Sequence, residues 1–195
     1  MRAVVIESDG QFHLEQRPNP VAGPGDVVVR VHAAGLNAAD LQQARGDYPA
    51  PPGWPTDVPG LEIAGKVERV GSAVTGISTG DRVMALVGGG GHAERITVPA
   101  DLLLPVPEGL TWQEAGGFPE AFSTAWDALI TQAQVRAGDR VLITGGGRRR
   151  GNGHGAGCRS VRSACRGKCA SSRASRPGEG ARPGRHTRRR RHSRR

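Results

Sequence analysis

The last 48 residues of this chain cannot help to build a core. Residues 148 to 195 hold one large aliphatic side chain, Val161, and no Leu, Ile, Met, Phe, Tyr or Trp, so they have no apolar surface to bury. Charge divides at the same place. Residues 1 to 147 carry 10 Lys+Arg against 17 Asp+Glu, while residues 148 to 195 carry 17 against 1, Glu179. The overall charge of +9 is therefore the difference between an acidic body at −7 and a basic tail at +16. Folding is confined to about the first 147 residues, enough for one modest core.

Several protein classes are excluded or disfavoured early. No apolar run reaches the length of roughly 18 residues that a membrane helix needs. Met1-Arg2-Ala3-Val4-Val5-Ile6 is followed by Glu7 and Asp9, which is unlike a secretory leader, so the expectation is a cytoplasmic protein with no membrane partner. All three cysteines, Cys158, Cys165 and Cys169, lie in the tail, an odd number that argues against a disulfide framework. They contain no Cys-x-x-Cys pair, which argues against zinc there.

The body reads as short strands punctuated by Gly and Pro. Met1 to Ile6 and Phe12 to Gln16 predict a hairpin around the turn signal Asp9-Gly10. Asp26 to His32, Glu62 to Val70, Arg82 to Leu86 and His92 to Val98 predict further strands, and Ala38 to Arg45 a short helix. Five prolines between Tyr48 and Pro59 predict a loop. Many short strands with turns at this spacing suggest a small barrel or sandwich. Thr111 with Glu114 three residues on predicts a capped helix start, and Ala121 to Gln134 carries apolar residues at helical spacing. Arg140 to Thr144 then predicts a buried strand leading into Gly145-Gly146-Gly147, which is how a dinucleotide-binding unit begins.

Nine short motifs in register give the body a family likeness. They include Gly35-Leu36-Asn37-Ala38-Ala39-Asp40, Gly46-Asp47-Tyr48-Pro49, Pro59-Gly60-Leu61-Glu62-Ile63-Ala64-Gly65, Gly80-Asp81-Arg82-Val83-Met84-Ala85-Leu86 and Thr124-Ala125-Trp126. On these the chain resembles the zinc-free quinone oxidoreductase branch of the medium-chain dehydrogenase/reductase superfamily. The resemblance implies a mainly β fold: a GroES-like β-barrel catalytic domain over residues 1–125, then the first helix and strand of an incomplete Rossmann domain over 126–147. Residues 148–195 are expected to be a disordered tail.

That resemblance implies NADPH as cofactor, a quinone or enone as small-molecule substrate, and a homodimer formed through Rossmann strands that this sequence does not contain. It implies no zinc, because Asn37 stands where zinc-dependent relatives have Cys and Leu61 where they have His. By the same resemblance Tyr48, the only tyrosine, meets the nicotinamide and substrate, and its hydroxyl could stabilise a developing oxyanion. Asn37 contacts the nicotinamide end, Thr124 lies near the ribose and phosphates, and Gly145, Gly146 and Gly147 open the pyrophosphate loop. Blander roles are also open: Asn37 as a helix cap, Thr124 as an ordinary helix residue, Tyr48 as a packing or exposed side chain. Gly88 to Gly91 could be a flexible loop, and His92 an exposed or strand residue.

The family continues its loop as Gly-Gly-Ala-Gly-Gly-Val-Gly and its helix as Thr-Ala-Met-Val-Gln, whereas here Arg148-Arg149-Arg150-Gly151 follows. Written as CGG CGG CGT GGG AAC GGC CAT GGT GCA, Arg148 to Ala156 read one base later, with the first base of Gly157, gives Gly-Gly-Val-Gly-Thr-Ala-Met-Val-Gln. The codons are chosen where the code is degenerate. The expectation is that residues from about 147 onward are a frameshift product and that the chain is inactive. The alternative is a non-enzymatic GroES-like module whose basic tail binds nucleic acid or anionic surfaces by charge, without sequence specificity.

Overall fold

Residues 1–143 are described by the structure, a computed structural model. Two sheets form the β portion. Strands β1 (Arg2–Ile6) and β2 (Phe12–Gln16) make the expected hairpin, with Ile6 opposite Phe12 and Gly10 at φ 78° in the turn. Strands β3 (Asp26–Ala34), β4 (Glu62–Val70), β5 (Arg82–Leu86), β6 (Arg95–Pro99) and β7 (Leu104–Pro105) form an antiparallel sheet in the order β6-β3-β4-β5-β7. The mainly β expectation holds, but among the described residues the barrel is not closed by hydrogen bonds, since β6 and β7 stand at opposite ends of that order. Register shifts between Val28 and Val29 and between Val31 and Ala33 interrupt the β3–β4 ladder. Such irregularities bend a strand and increase its twist.

The core lies on one face of this sheet. Val27, Val29, Ile63, Val67, Val83, Ala85, Ile96 and Val98 are buried together; they stand two apart in β3, β5 and β6, and four apart in β4, with Gly65 between. Burying each of these Val and Ile side chains contributes on the order of 1.5–3 kcal/mol. On the other face Ala64 and Met84 pack against Ala115 of α2 (Trp112–Gly116). Helix α2 is held by the predicted cap: the Glu114 amide donates to Thr111 Oγ1 at 3.2 Å and the Thr111 amide to Glu114 Oε2 at 3.0 Å. Trp112 meets two partners, with Arg82 over its ring at 4.4 Å and the His32 ring centroid at 4.6 Å.

Three elements differ from expectation. β6 begins at Arg95 rather than His92, because residues 92–94 turn to β1: the Val4 amide donates to His92 O at 2.9 Å and the Glu94 amide to Arg2 O at 3.0 Å. The helix expected over 121–134 is α3 (Pro119–Trp126), with Pro at its first position, followed by a π-helical turn over Asp127–Gln132. Arg140 to Ile143 form no strand, and Leu142 is 70 % exposed. A strand needs a neighbour to satisfy its backbone, and among the described residues none pairs with this segment. Thr144, the glycines Gly145 to Gly147 and the basic tail lie outside the described residues.

Candidate active site

The end of β3 and the start of β4 converge on a buried carboxylate. Glu62, the first residue of β4, is 3 % exposed. Its Oε1 accepts from Asn37 Nδ2 at 3.1 Å and its Oε2 from the Glu120 amide at 2.9 Å. Gly35 makes room for it: a Cβ there would overlap Oε1 and approach Glu62 Cγ to 2.6 Å. Burial pushes the Glu62 carboxyl above its ordinary range, the two donors pull it back, and the charges of Glu120 and Asp40 raise it further.

A second buried acid sits beside the first. Asn37 is the N-cap of α1 (Ala38–Ala44), and Asp40, three residues on, returns Oδ2 to the Asn37 amide at 2.7 Å. The other oxygen of Asp40 accepts from the Gly60 amide at 3.1 Å. Gly60 has φ 104°, and a Cβ on it would approach the His92 amide nitrogen to 2.5 Å. His92 Nε2 lies 3.0 Å from Gly35 O and 4.0 Å from Asp40 Oδ2. A carbonyl only accepts, so the hydrogen bond to Gly35 requires the proton on Nε2. His92 is thus a packed polar residue at the joint of three loops, not the exposed or strand residue expected.

Asn37, Asp40 and His92 line a groove of about 900 Å³ whose other walls are mostly apolar. Phe12, Leu14, Leu36 and Leu41 present large apolar surface to it, Leu36 being 79 % exposed. A concave apolar surface with a few fixed polar groups is the usual character of a small-molecule site.

The other predicted residues are placed separately. Thr124 lies on the exposed side of α3, where its hydroxyl donates to Glu120 Oε1 at 3.2 Å, so it reaches the Asn37–Glu62 cluster only through Glu120. Tyr48 follows α1, is 42 % exposed and does not line the groove. Gly88 to Gly91 are packed rather than open. A Cβ on Gly88 would approach the Trp54 ring to 2.5 Å, and one on Gly91 would approach Gly60 O to 2.8 Å, which leaves no cradle for a phosphate. At the positions compared with zinc ligands stand an amide, Asn37, already donating to Glu62, and the buried Leu61, which offers no donor atom. Sequence reasoning missed Glu62, Asp40 and His92. Two of the three carry a readable signal: Glu62 is a lone acid between Leu61 and Ile63, and Asn37-x-x-Asp40 has capping-box spacing.

Known proteins place this geometry in a family. Residues 23–108 match the alcohol dehydrogenase GroES-like domain. The chain is 38% identical over 152 residues to the mouse (Mus musculus) synaptic vesicle membrane protein VAT-1 homolog-like, covering 75% of this chain and 36% of that protein. It is 40% identical over 123 residues to a quinone oxidoreductase-like protein 2 homolog of Nematostella vectensis, covering 63% and 33%. Among solved structures, the quinone oxidoreductase from Thermus thermophilus, also solved in complex with NADPH, superposes with a TM-score of 0.69 at 37% identity, covering 87% of this chain and 52% of that one. The chain spans about a third of the length of these curated relatives. With a matching domain model, matching relatives and a matching fold, it belongs to the medium-chain dehydrogenase/reductase superfamily of oxidoreductases through its GroES-like domain.

Proposed function

We propose that this chain carries the catalytic-domain half of a zinc-independent, NADPH-dependent quinone or enone reductase, and that by itself it does not complete the reaction. The observation that carries this is the apolar groove lined by Asn37 and the buried acid Asp40, with the Asn37 amide oriented by a second buried acid, Glu62. The likeness to a quinone oxidoreductase solved with NADPH supports the choice of cofactor. Such a cofactor supplies a hydride, while the protein contributes position, polarity and exclusion of water.

In the complete enzyme Asn37 serves the nicotinamide end, Thr124 the ribose and phosphates, and Tyr48 the oxyanion that develops on the acceptor. The described residues do not provide a pyrophosphate cradle. In sequence, Gly145-Gly146-Gly147 runs into Arg148-Arg149-Arg150, which supplies charge but not the glycine-rich turn and helix start that bind a dinucleotide through backbone amides. A frameshift near residue 147 accounts for that sequence, and reading the downstream gene in the shifted frame tests it: absence of the remaining Rossmann segments there rejects it.

The activity test uses the purified 195-residue chain. The expected outcome is no NADPH oxidation with a quinone acceptor and no thermal shift with NADPH, with or without added zinc. Robust turnover overturns the proposal. One observation favours a second reading, the +16 charge of residues 148–195, which suits a module anchored to anionic surfaces. No described helix is long and apolar enough to cross a membrane. A cytoplasmic location is part of the same proposal, and cell fractionation checks it.

A further inference from the structure

We propose that Glu62 is a positioning residue: its carboxylate, lodged against Gly35, holds the Asn37 side-chain amide and the first turn of α3 in one fixed relation, so that a shift at either end reaches the other. The first argument is what the position demands. Glu62 through Gly65 are all buried, in a stretch of β4 covered on both faces, where an apolar side chain would fill the space without the cost of burying a charge. A carboxylate there is tolerated because each oxygen meets a donor, Asn37 Nδ2 at one and the Glu120 amide at the other.

The second argument concerns α3. The first amides of a helix have no partner within it, and the residue before the helix normally supplies one. Here that residue is Phe118, whose side chain cannot accept and makes no cap hydrogen bond. Glu62 supplies the missing acceptor from another element, and the positive end of the helix dipole favours a negative charge at that place. α3 also carries Thr124, bonded to Glu120. The two candidate cofactor residues that stand on different elements, Asn37 and Thr124, are therefore linked as Asn37–Glu62–Glu120–Thr124. This depends on the proposed function only for what Asn37 and Thr124 face; the linkage itself is independent of any cofactor.

The charged groups around Glu62 make its protonation the natural handle. Glu120 from α3 and Asp40 from α1 face it as like charges, and His92 lies 4.0 Å from Asp40 Oδ2. Protonation of Glu62 places a hydroxyl where a donor now points, so it weakens one of the two bonds.

The test is nuclear magnetic resonance on the 15N-labelled full chain and on Glu62→Gln, which keeps the volume but turns an NH₂ toward one of the two donors. In the wild type, titration from pH 7 downward should move the Asn37 side-chain amide and the Glu120 backbone amide with one shared midpoint. In Glu62→Gln that titration should vanish, and the donor that meets the NH₂ should lose its bond, seen as at least tenfold faster exchange at the Glu120 amide or as a displaced Asn37 side-chain amide resonance, while Val29 and Val98 in the sheet keep their protection. Glu120 exchange and Asn37 side-chain resonances that are both unchanged overturn the proposal, because a space-filling role predicts that result. Separate midpoints for Asn37 and Glu120 overturn it too, and this readout needs only the wild type should the variant not fold. NADPH binding, followed by its fluorescence, tests the functional reading separately and leaves the titration result intact.

Discussion

Gly35→Ala isolates the contact on which the buried acid depends. Gly35 is not in the left-handed region, so alanine fits its backbone and the perturbation is steric alone. The added Cβ would overlap Glu62 Oε1 and lie 2.5 Å from Cδ and 2.6 Å from Cγ. This is not the free end of a flexible chain, since both oxygens are held. Overpacking of this kind costs about 1–3 kcal/mol, and displacing the carboxylate from even one donor adds about 1.5–3 kcal/mol for a lost hydrogen bond to a charged group. A total of about 2.5–6 kcal/mol is a large share of the roughly 5–15 kcal/mol that stabilises a typical domain. Urea unfolding followed by tryptophan fluorescence measures it. The decisive comparison is a double-mutant cycle with Glu62→Ala, which opens the space the new methyl needs: the pair should be less destabilised than the sum of the singles by about 1–3 kcal/mol. A Gly35→Ala cost that is the same in both backgrounds refutes the reasoning, because the clash would then lie elsewhere.

Ile63→Ala, at a fully buried site, should cost about 2–5 kcal/mol in the same unfolding experiment. Trp112→Ala removes the partner of both Arg82 and His32 and should loosen α2, seen as loss of its helical signal in circular dichroism before the sheet melts. The Arg95 guanidinium, bonded to Glu68 at 2.6 and 3.1 Å, holds the Glu68 carboxyl below its ordinary 4.5, so the pair stabilises the fold above that value and the contribution is lost as pH falls through the lowered one. Glu68→Gln should therefore be less stable than wild type at pH 7, with the gap closing in acid. Glu62 has the opposite sign: its raised value favours folding while protonated, and that contribution fades as pH rises through it. Finally, the full chain should bind duplex DNA with a steep inverse salt dependence that residues 1–147 lack, measured by fluorescence anisotropy at two salt concentrations.

Apolar runs and turn residues located β1 to β5 closely, because Gly or Pro stands near the ends of each strand. The failures share a cause. His92 to Glu94 have strand-like neighbours, yet they pair with β1, and nothing local distinguishes one distant partner from another. Arg140 to Ile143 are apolar enough for a buried strand, but a strand is made by its neighbours, and sequence windows do not see them. At the site, Asn37 was legible through its motif and Asp40 through its spacing, whereas the link from Glu62 to Glu120 spans 58 residues and appears only when the chain is folded. Tyr48 was singled out by its place in the family motif Gly46-Asp47-Tyr48-Pro49; a motif gives a position along the chain, and the 42 % exposure of the side chain is set by the fold around it.

β3 lies between β4 and β6, and its outer neighbour β6 is the later of the two in the chain. During synthesis, Val27, Val28 and Val29 therefore leave the ribosome as an apolar strand that stays open along one side until residues 95–99 have followed. Long-range pairing of this kind is slow and leaves the intermediate prone to self-association. The yield of folded protein should thus depend on the pace of translation between β4 and β6 and on holding chaperones, more than on the final stability of the sheet.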